Sequence, residues 1–218
     1  MQRVADLKVP DLVKCNVRDR ARFGNNRIRI LVVTLTAPRR GPQFFQLEGN
    51  LKMKMANLES LLHDGLREIY YAEKKIMKAL PKMIRAAQST DLQAAFDKHL
   101  TETEQQVERL QQVFELMGKR AQAKTCPAID GILEEGEEVM ETYKGSPALD
   151  AGLVAAAQAV EHYEMARYGT LCAWASVLGM DDAADLLQQT LVEETATDEA
   201  LSSLADASIN SAAILQAA

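Results

Sequence analysis

The stretch Leu66-Arg67-Glu68-Ile69-Tyr70-Tyr71-Ala72-Glu73-Lys74-Lys75-Ile76 sets a carboxylate on a stripe that is otherwise hydrocarbon. Read outward in steps of three and four, the stripe runs Leu62, Leu66, Ile69, Glu73, Ile76, Leu80, Met83. That spacing predicts an amphipathic helix over residues 57–88. Pro81 lies inside it and is expected to bend rather than break it, because the stripe continues past the ring. Ser89-Thr90-Asp91 supplies a break and a cap. A second helix is expected over 91–117, with Leu92, Phe96, Val107, Leu110, Phe114 and Met117 inward and Gly118 ending it. A shorter helix over 127–143 is entered through Cys126-Pro127 and closed by Gly145-Ser146-Pro147. Two more long segments, 148–178 and 181–206, are separated by Gly179. Leu153, Val160, Leu171 and Leu178 face inward on the first of these, and Leu187, Leu191, Leu201 and Ala205 on the second. Four long helices, two short turns and a longer crossover holding a small helix describe an all-α four-helix bundle. Its two helix pairs, 57–117 and 148–206, form a weak internal repeat.

Glu73 has company on the apolar faces. His99 falls three residues after Phe96, and Glu102 three after His99. Glu164 continues the line Leu153, Ala157, Val160, with Glu161 one turn before it, and Glu194 and Asp198 fill the gap between Leu191 and Leu201. A lone buried carboxylate is costly, so groups of this kind are paired, protonated or bound to metal. Their heights also agree. Glu73 lies 16 residues before the turn at 89 and Glu102 lies 13 after it; Glu164 and Glu194 each lie 15 from the turn at 179. Four carboxylates at one level, with imidazoles nearby, are the ligand set of a dinuclear metal site in a bundle core. The candidate ligands are Glu73, His99, Glu102, Glu161, Glu164, Glu194 and Asp198.

Blander readings stand beside this one. The glutamates could be solvated flank residues, and His99 a satisfied core histidine or a partner to a ligand. His162 sits beside two candidates but off their stripe, which favours a supporting or interface role. Tyr70, Tyr71, Tyr163 and Tyr168 fall near the same level, either as core filling or as hydroxyls that orient ligands. The run Glu134, Glu135, Glu137, Glu138, Glu141 reads as a solvated face, His63 as surface, and Cys126 and Cys172 as small core residues.

The 218 residues carry a net charge of -6, but it is unevenly spread. Residues 1–52 hold eleven Lys/Arg and four Asp/Glu, and residues 53–218 hold fourteen and twenty-seven. The acidic larger part excludes a chain-wide nucleic-acid stripe and leaves nucleic acid only to the basic arm. Within that arm, Arg29 to Thr36 is the one strand-like run, and Ala37-Pro38-Arg39-Arg40-Gly41-Pro42 breaks it at once. A single strand cannot bury itself, so 1–52 is expected to be disordered or not native, with 53–207 the bundle and 208–218 a flexible tail. No apolar run approaches the ~20 residues of a membrane span, and no leader with an apolar core is visible. Three cysteines without zinc-ligand or disulfide-framework spacing are in keeping with a reducing cytoplasm.

The blocks Tyr71-Ala72-Glu73-Lys74, His99-Leu100-Thr101-Glu102-Thr103, Val160-Glu161-His162-Tyr163-Glu164 and Glu193-Glu194-Thr195-Ala196-Thr197-Asp198 resemble the YciE/YciF-like family of bacterial ferritin-like proteins. The resemblance covers residues 56–207. It implies a ferritin-like bundle similar in shape to rubrerythrin and manganese catalase, a homodimer, and an association with stress responses. Better-known di-iron relatives place a histidine three residues after the second helix's glutamate; here that place is Gln105. The fourth long helix has Asp198 four after Glu194 and no histidine. The leading expectation is a site for two iron or manganese ions that handles oxygen, peroxide or iron. The competing one is a non-catalytic bundle dimer or stress scaffold whose metal site is structural or vestigial.

Overall fold

A computed structural model describes residues 57–215. The strand at 29–36, the basic arm 1–52 and residues 216–218 lie outside the described residues. The chain begins its first helix where Asn57 accepts a hydrogen bond from the Ser60 amide, satisfying one of the amides a helix start leaves open. From there α1 spans Leu58–Ala86 and α2 Thr90–Leu116, with the Ser89 hydroxyl capping α2. Helix α3 spans Pro127–Thr142, with proline in its first turn where its missing amide is harmless. Helices α4, Leu149–Val177, and α5, Asp181–Leu204, complete the four long ones. Gly118, Gly145 and Gly179 end helices with φ between 64° and 72°, the left-handed region in which a side chain would be strained.

The result is the all-α four-helix bundle with a short crossover helix that the spacing predicts. Long-range bonds fix the order. Gln111 on α2 donates to the Tyr70 hydroxyl on α1, and Arg109 on α2 reaches Glu193 on α5. Gln158 on α4 donates to Asp198 on α5, and Tyr168 on α4 donates to Glu73 on α1. Each helix therefore runs antiparallel to both neighbours, in the cyclic order α1, α2, α5, α4. Because α2 ends opposite the start of α4, the crossover must travel the length of the bundle. It does so along α1: the Lys124 amide donates to the Arg67 carbonyl, Tyr71 donates to Asp130, and Lys82 pairs with Glu137 further down. Helix α3 thus covers the side between α1 and α4, with Ile129 and Gly136 buried.

The core of α1 is the stripe read from the sequence, Leu62 through Met83, and the helix runs unbroken through Pro81. On α2 the buried line is Leu92, Phe96, His99, Thr103, Gln106, Leu110, Val113 and Phe114, while the expected inward residues Val107 and Met117 are half-buried. Leu178 and Leu191 are likewise half-buried. His63 is not plain surface; its ring packs edge-on against Phe114 at 6.0 Å between centroids. After Leu204 the chain does not trail away. A wider turn over Ala205–Ile209 and a last helical piece α6, Asn210–Leu215, follow, with Ala205 and Ile209 buried. Ile209 lies one step of four beyond the inward residue Ala205 and continues its line.

Candidate metal centre

Three helices bring four donor side chains together in the core. His99 arrives from α2, Glu161 and Glu164 from consecutive turns of α4, and Glu194 from α5. One donor atom from each lies within 4.8 Å of every other, and none of the four residues is more than 3% exposed. Such a group could hold a metal ion. Its donor atoms are also without partners. Both oxygens of Glu164, both of Glu194, Oε2 of Glu161 and both ring nitrogens of His99 are buried with no hydrogen bond. Buried polar atoms are almost always satisfied, so this many unpartnered donors on four neighbouring side chains are in keeping with a group that could hold a cation. Nitrogen and oxygen donors of this kind suit a hard or intermediate ion.

The electrostatics follow from burial. Burial, then repulsion from its neighbours, raises the pKa of Glu73, of Glu161 and of Glu164 well above the usual carboxylate range. Burial likewise lifts Glu194 to about 7. Burial, with Lys98 close by, holds His99 down at about 4, so the imidazole is neutral near pH 7 and keeps a lone pair free. Its Nε2 is 3.2 Å from Glu161 Oε1, but the alignment is not that of a hydrogen bond and a neutral ring forms no ion pair.

The other candidates are placed differently. Glu73 is fully buried and close enough to Glu164 and Glu194 to repel both, but one of its oxygens accepts a hydrogen bond from Tyr168. Its Oε2 has no partner. Glu102 stands on the flank of α2, one position before the buried Thr103. Its Oε1 is held by Lys98 at 2.6 Å and its Oε2 is buried and unpartnered. Asp198 is outside the cluster. It accepts from Gln158 Nε2 at 3.0 Å and lies 3.3 Å from His162 Nε2 near the surface. His162 is exposed. Of the four tyrosines, Tyr168 alone touches a candidate ligand by an assigned hydrogen bond. Tyr71 bonds Asp130, Tyr70 bonds Gln111, and the Tyr163 hydroxyl lies 3.1 Å from Cys126 Sγ.

One group was not foreseen from sequence. Arg109 on α2 makes a two-pronged contact with Glu193 on α5, at 2.8 and 3.0 Å, and donates to the Thr190 hydroxyl at 2.6 Å. Gln106 also donates to Glu193. The guanidinium is near enough to Glu73 and Glu194 to favour their charged forms. Its one sequence signal was a positive charge next to Leu110 on a helix whose neighbouring positions are acidic or amide.

Comparison with known proteins bears on this arrangement. The profile of a family described as a domain of unknown function, DUF892, matches residues 57–214. Protein YciF of Escherichia coli K12 is 43% identical over 159 residues, covering 72% of this chain and 96% of that protein. The crystal structure of YciF, described there as a stress protein, superposes with a TM-score of 0.69 over 99% of its length. The YcfI protein of Rhodopseudomonas palustris is 50% identical, with a TM-score of 0.65 over 69% of this chain and 96% of its own. A protein of Xanthomonas campestris pv. campestris, 22% identical, shares the fold with a TM-score of 0.59, covering 72% of this chain and 96% of that one.

Proposed function

This chain belongs to the DUF892 family, and on that premise we propose that it is a ferritin-like protein of stress defence whose core holds two iron or manganese ions and handles oxygen, peroxide or iron. The observation that carries this reading is the buried group of His99, Glu161, Glu164 and Glu194, whose donor atoms come within 4.8 Å of one another with most of them unpartnered. The stress association comes from the likeness to YciF. In this reading His99, Glu161, Glu164 and Glu194 hold metal, and Glu73 and Glu102 each add one free oxygen at the margin. Bound iron or manganese would supply one-electron redox steps, which carboxylates and imidazole cannot. The side chains have their own tasks. The protons kept on the buried carboxyls in the metal-free protein are displaced when a cation enters, so binding releases protons and weakens as pH falls. Tyr168 fixes the orientation of Glu73, and Arg109 holds Glu193 beside Glu194.

The test is elemental analysis of protein purified without chelators, alongside Glu161→Gln, Glu194→Gln and, as a control on the solvated face of α3, Glu138→Ala. About two iron or manganese ions per chain are expected in the parent and the control. The Gln variants should lose at least half of that metal. Equal content in all four proteins would sink the assignment. A second reading, metal as a structural staple, is favoured by the enclosure of the ligand set, which leaves none of the four side chains open to solvent. Consumption of hydrogen peroxide by the loaded protein separates the two: turnover supports the first, and a raised melting temperature without turnover supports the second.

A further inference from the structure

A donor set this deeply enclosed needs a way in, and the four sides of the bundle differ in what they offer a cation. The side between α1 and α4 lies under α3. On α2, Lys98, Glu102 and Arg109 are spaced four and seven residues apart and share one flank. There Lys98 grips Glu102 and Arg109 grips Glu193 on α5, so the carboxylates on the α2–α5 side already have cationic partners. Between α1 and α2, the Lys74 ammonium sits over the Tyr70 ring at 5.3 Å, and Gln111 ties that ring's hydroxyl.

The side between α4 and α5 is of another kind. Beyond Arg167 the sequence contains no lysine or arginine, so α5 carries no positive side chain, and its Asp198 faces α4 through Gln158. Along this side a graded series leads inward. The His162 side chain is 67% exposed and its Nε2 lies 3.3 Å from Asp198 Oδ1. Asp198, 18% exposed, is held across the gap by Gln158, which also donates to Ser202 Oγ at 2.9 Å. The next acid is Glu161, chain neighbour of His162, buried, with Oε2 unpartnered, and near enough to feel the Asp198 charge. Behind Glu161 stand His99 and Glu194.

We propose that His162 and Asp198 form the loading station through which a divalent cation passes from solvent to Glu161 and the buried cluster. This inference rests on the metal-binding reading above and adds a route to it. An imidazole and a carboxylate at the mouth can each give a passing cation one ligand without the enclosure that would trap it. The Asp198 carboxylate, on a helix without lysine or arginine, raises the local cation concentration, an effect on rate that salt screens. Asp198 and His162 therefore govern how fast metal enters and not how much is held.

The experiment strips the full chain with a chelator, removes the chelator, and mixes it with cobalt(II). Uptake is followed by the growth of cobalt's visible absorption, and final content by elemental analysis. Asp198→Asn and His162→Ala should each slow uptake by about tenfold and Asp198→Lys by more, with Glu138→Ala unchanged. All should reach the final cobalt content of the parent. Added salt should slow the parent more than Asp198→Asn. Parent-like uptake in Asp198→Lys would overturn the route. A lower final content in Asp198→Asn or His162→Ala would overturn it too, by making these residues holders of the metal. A parent chain that takes up no cobalt at all would overturn the metal-binding reading itself, and the route with it.

Discussion

At the scale of the residue, the pairing of Tyr168 with Glu73 joins α4 to α1 through one hydroxyl, with both side chains fully buried. The phenol cannot ionise there, since burial and the nearby carboxylates raise its pKa well above the usual value. It is therefore a fixed donor, and Glu73 depends on it. Tyr168→Phe keeps the ring and removes the donor, leaving a buried carboxyl oxygen unsatisfied. The metal-free variant should lose about 1–3 kcal/mol in urea denaturation, with metal stoichiometry retained. Unchanged stability would mean that Glu73 finds another partner when the hydroxyl is gone. The same scale separates His99 from Glu102. They are three residues apart and equally plausible from spacing, but only His99 is on the buried line that continues through Thr103 and Gln106.

At the scale of the element, Asp150 shows how a helix end can secure a distant turn. From the first turn of α4 its carboxylate accepts from the amides of Gln88 at 2.8 Å and Ser89 at 2.7 Å, where α1 passes into α2. Asp150→Ala would strand both amides and is expected to lower stability by about 1–3 kcal/mol. That corresponds to several degrees in a thermal melt, roughly 2–4 °C per kcal/mol. A melting temperature within one degree of the parent's would show that water replaces the carboxylate without loss. Nothing in the sequence marks Asp150 as more than a helix-start acid, because its partners lie some sixty residues away. This is the general limit of what was legible. The helices themselves, their glycine ends and the level of Glu73, Glu164 and Glu194 follow from local period and counting. The position of a side chain around its helix, to within one flank, does not. Glu102 shares the expected height and Asp198 lies one turn beyond it, but both sit toward the edge, the first on Lys98 and the second on Gln158. The Arg109–Glu193 contact spans 84 residues and has no local signature at all.

At the scale of the whole molecule, the buried carboxyls tie stability to pH. Their folded pKa values are raised, Glu194 from 4.5 to about 7, so the folded metal-free state holds protons that the unfolded chain has released. Stability from these groups is full below about pH 4.5 and is lost as pH climbs through each folded value. His99 acts oppositely, since its value falls from 6.5 to about 4, but its contribution is complete once the unfolded histidine has lost its proton. Above pH 6.5 only the carboxyls remain to titrate. The metal-free protein should therefore unfold at lower urea at pH 8 than at pH 6.5. The slope is at most about 1.4 kcal/mol per pH unit for each carboxyl still protonated. An equal or higher midpoint at pH 8 would show that the cluster is already ionised at pH 6.5. The one-sided charge of the final quarter of the chain reaches beyond metal entry. Trypsin cuts only after lysine or arginine, and the last such residue is Arg167, inside α4 with its guanidinium over the Tyr163 ring. Trypsin therefore has no site within residues 168–218, and its cut at Arg167 must wait until α4 has opened around the centre of the bundle.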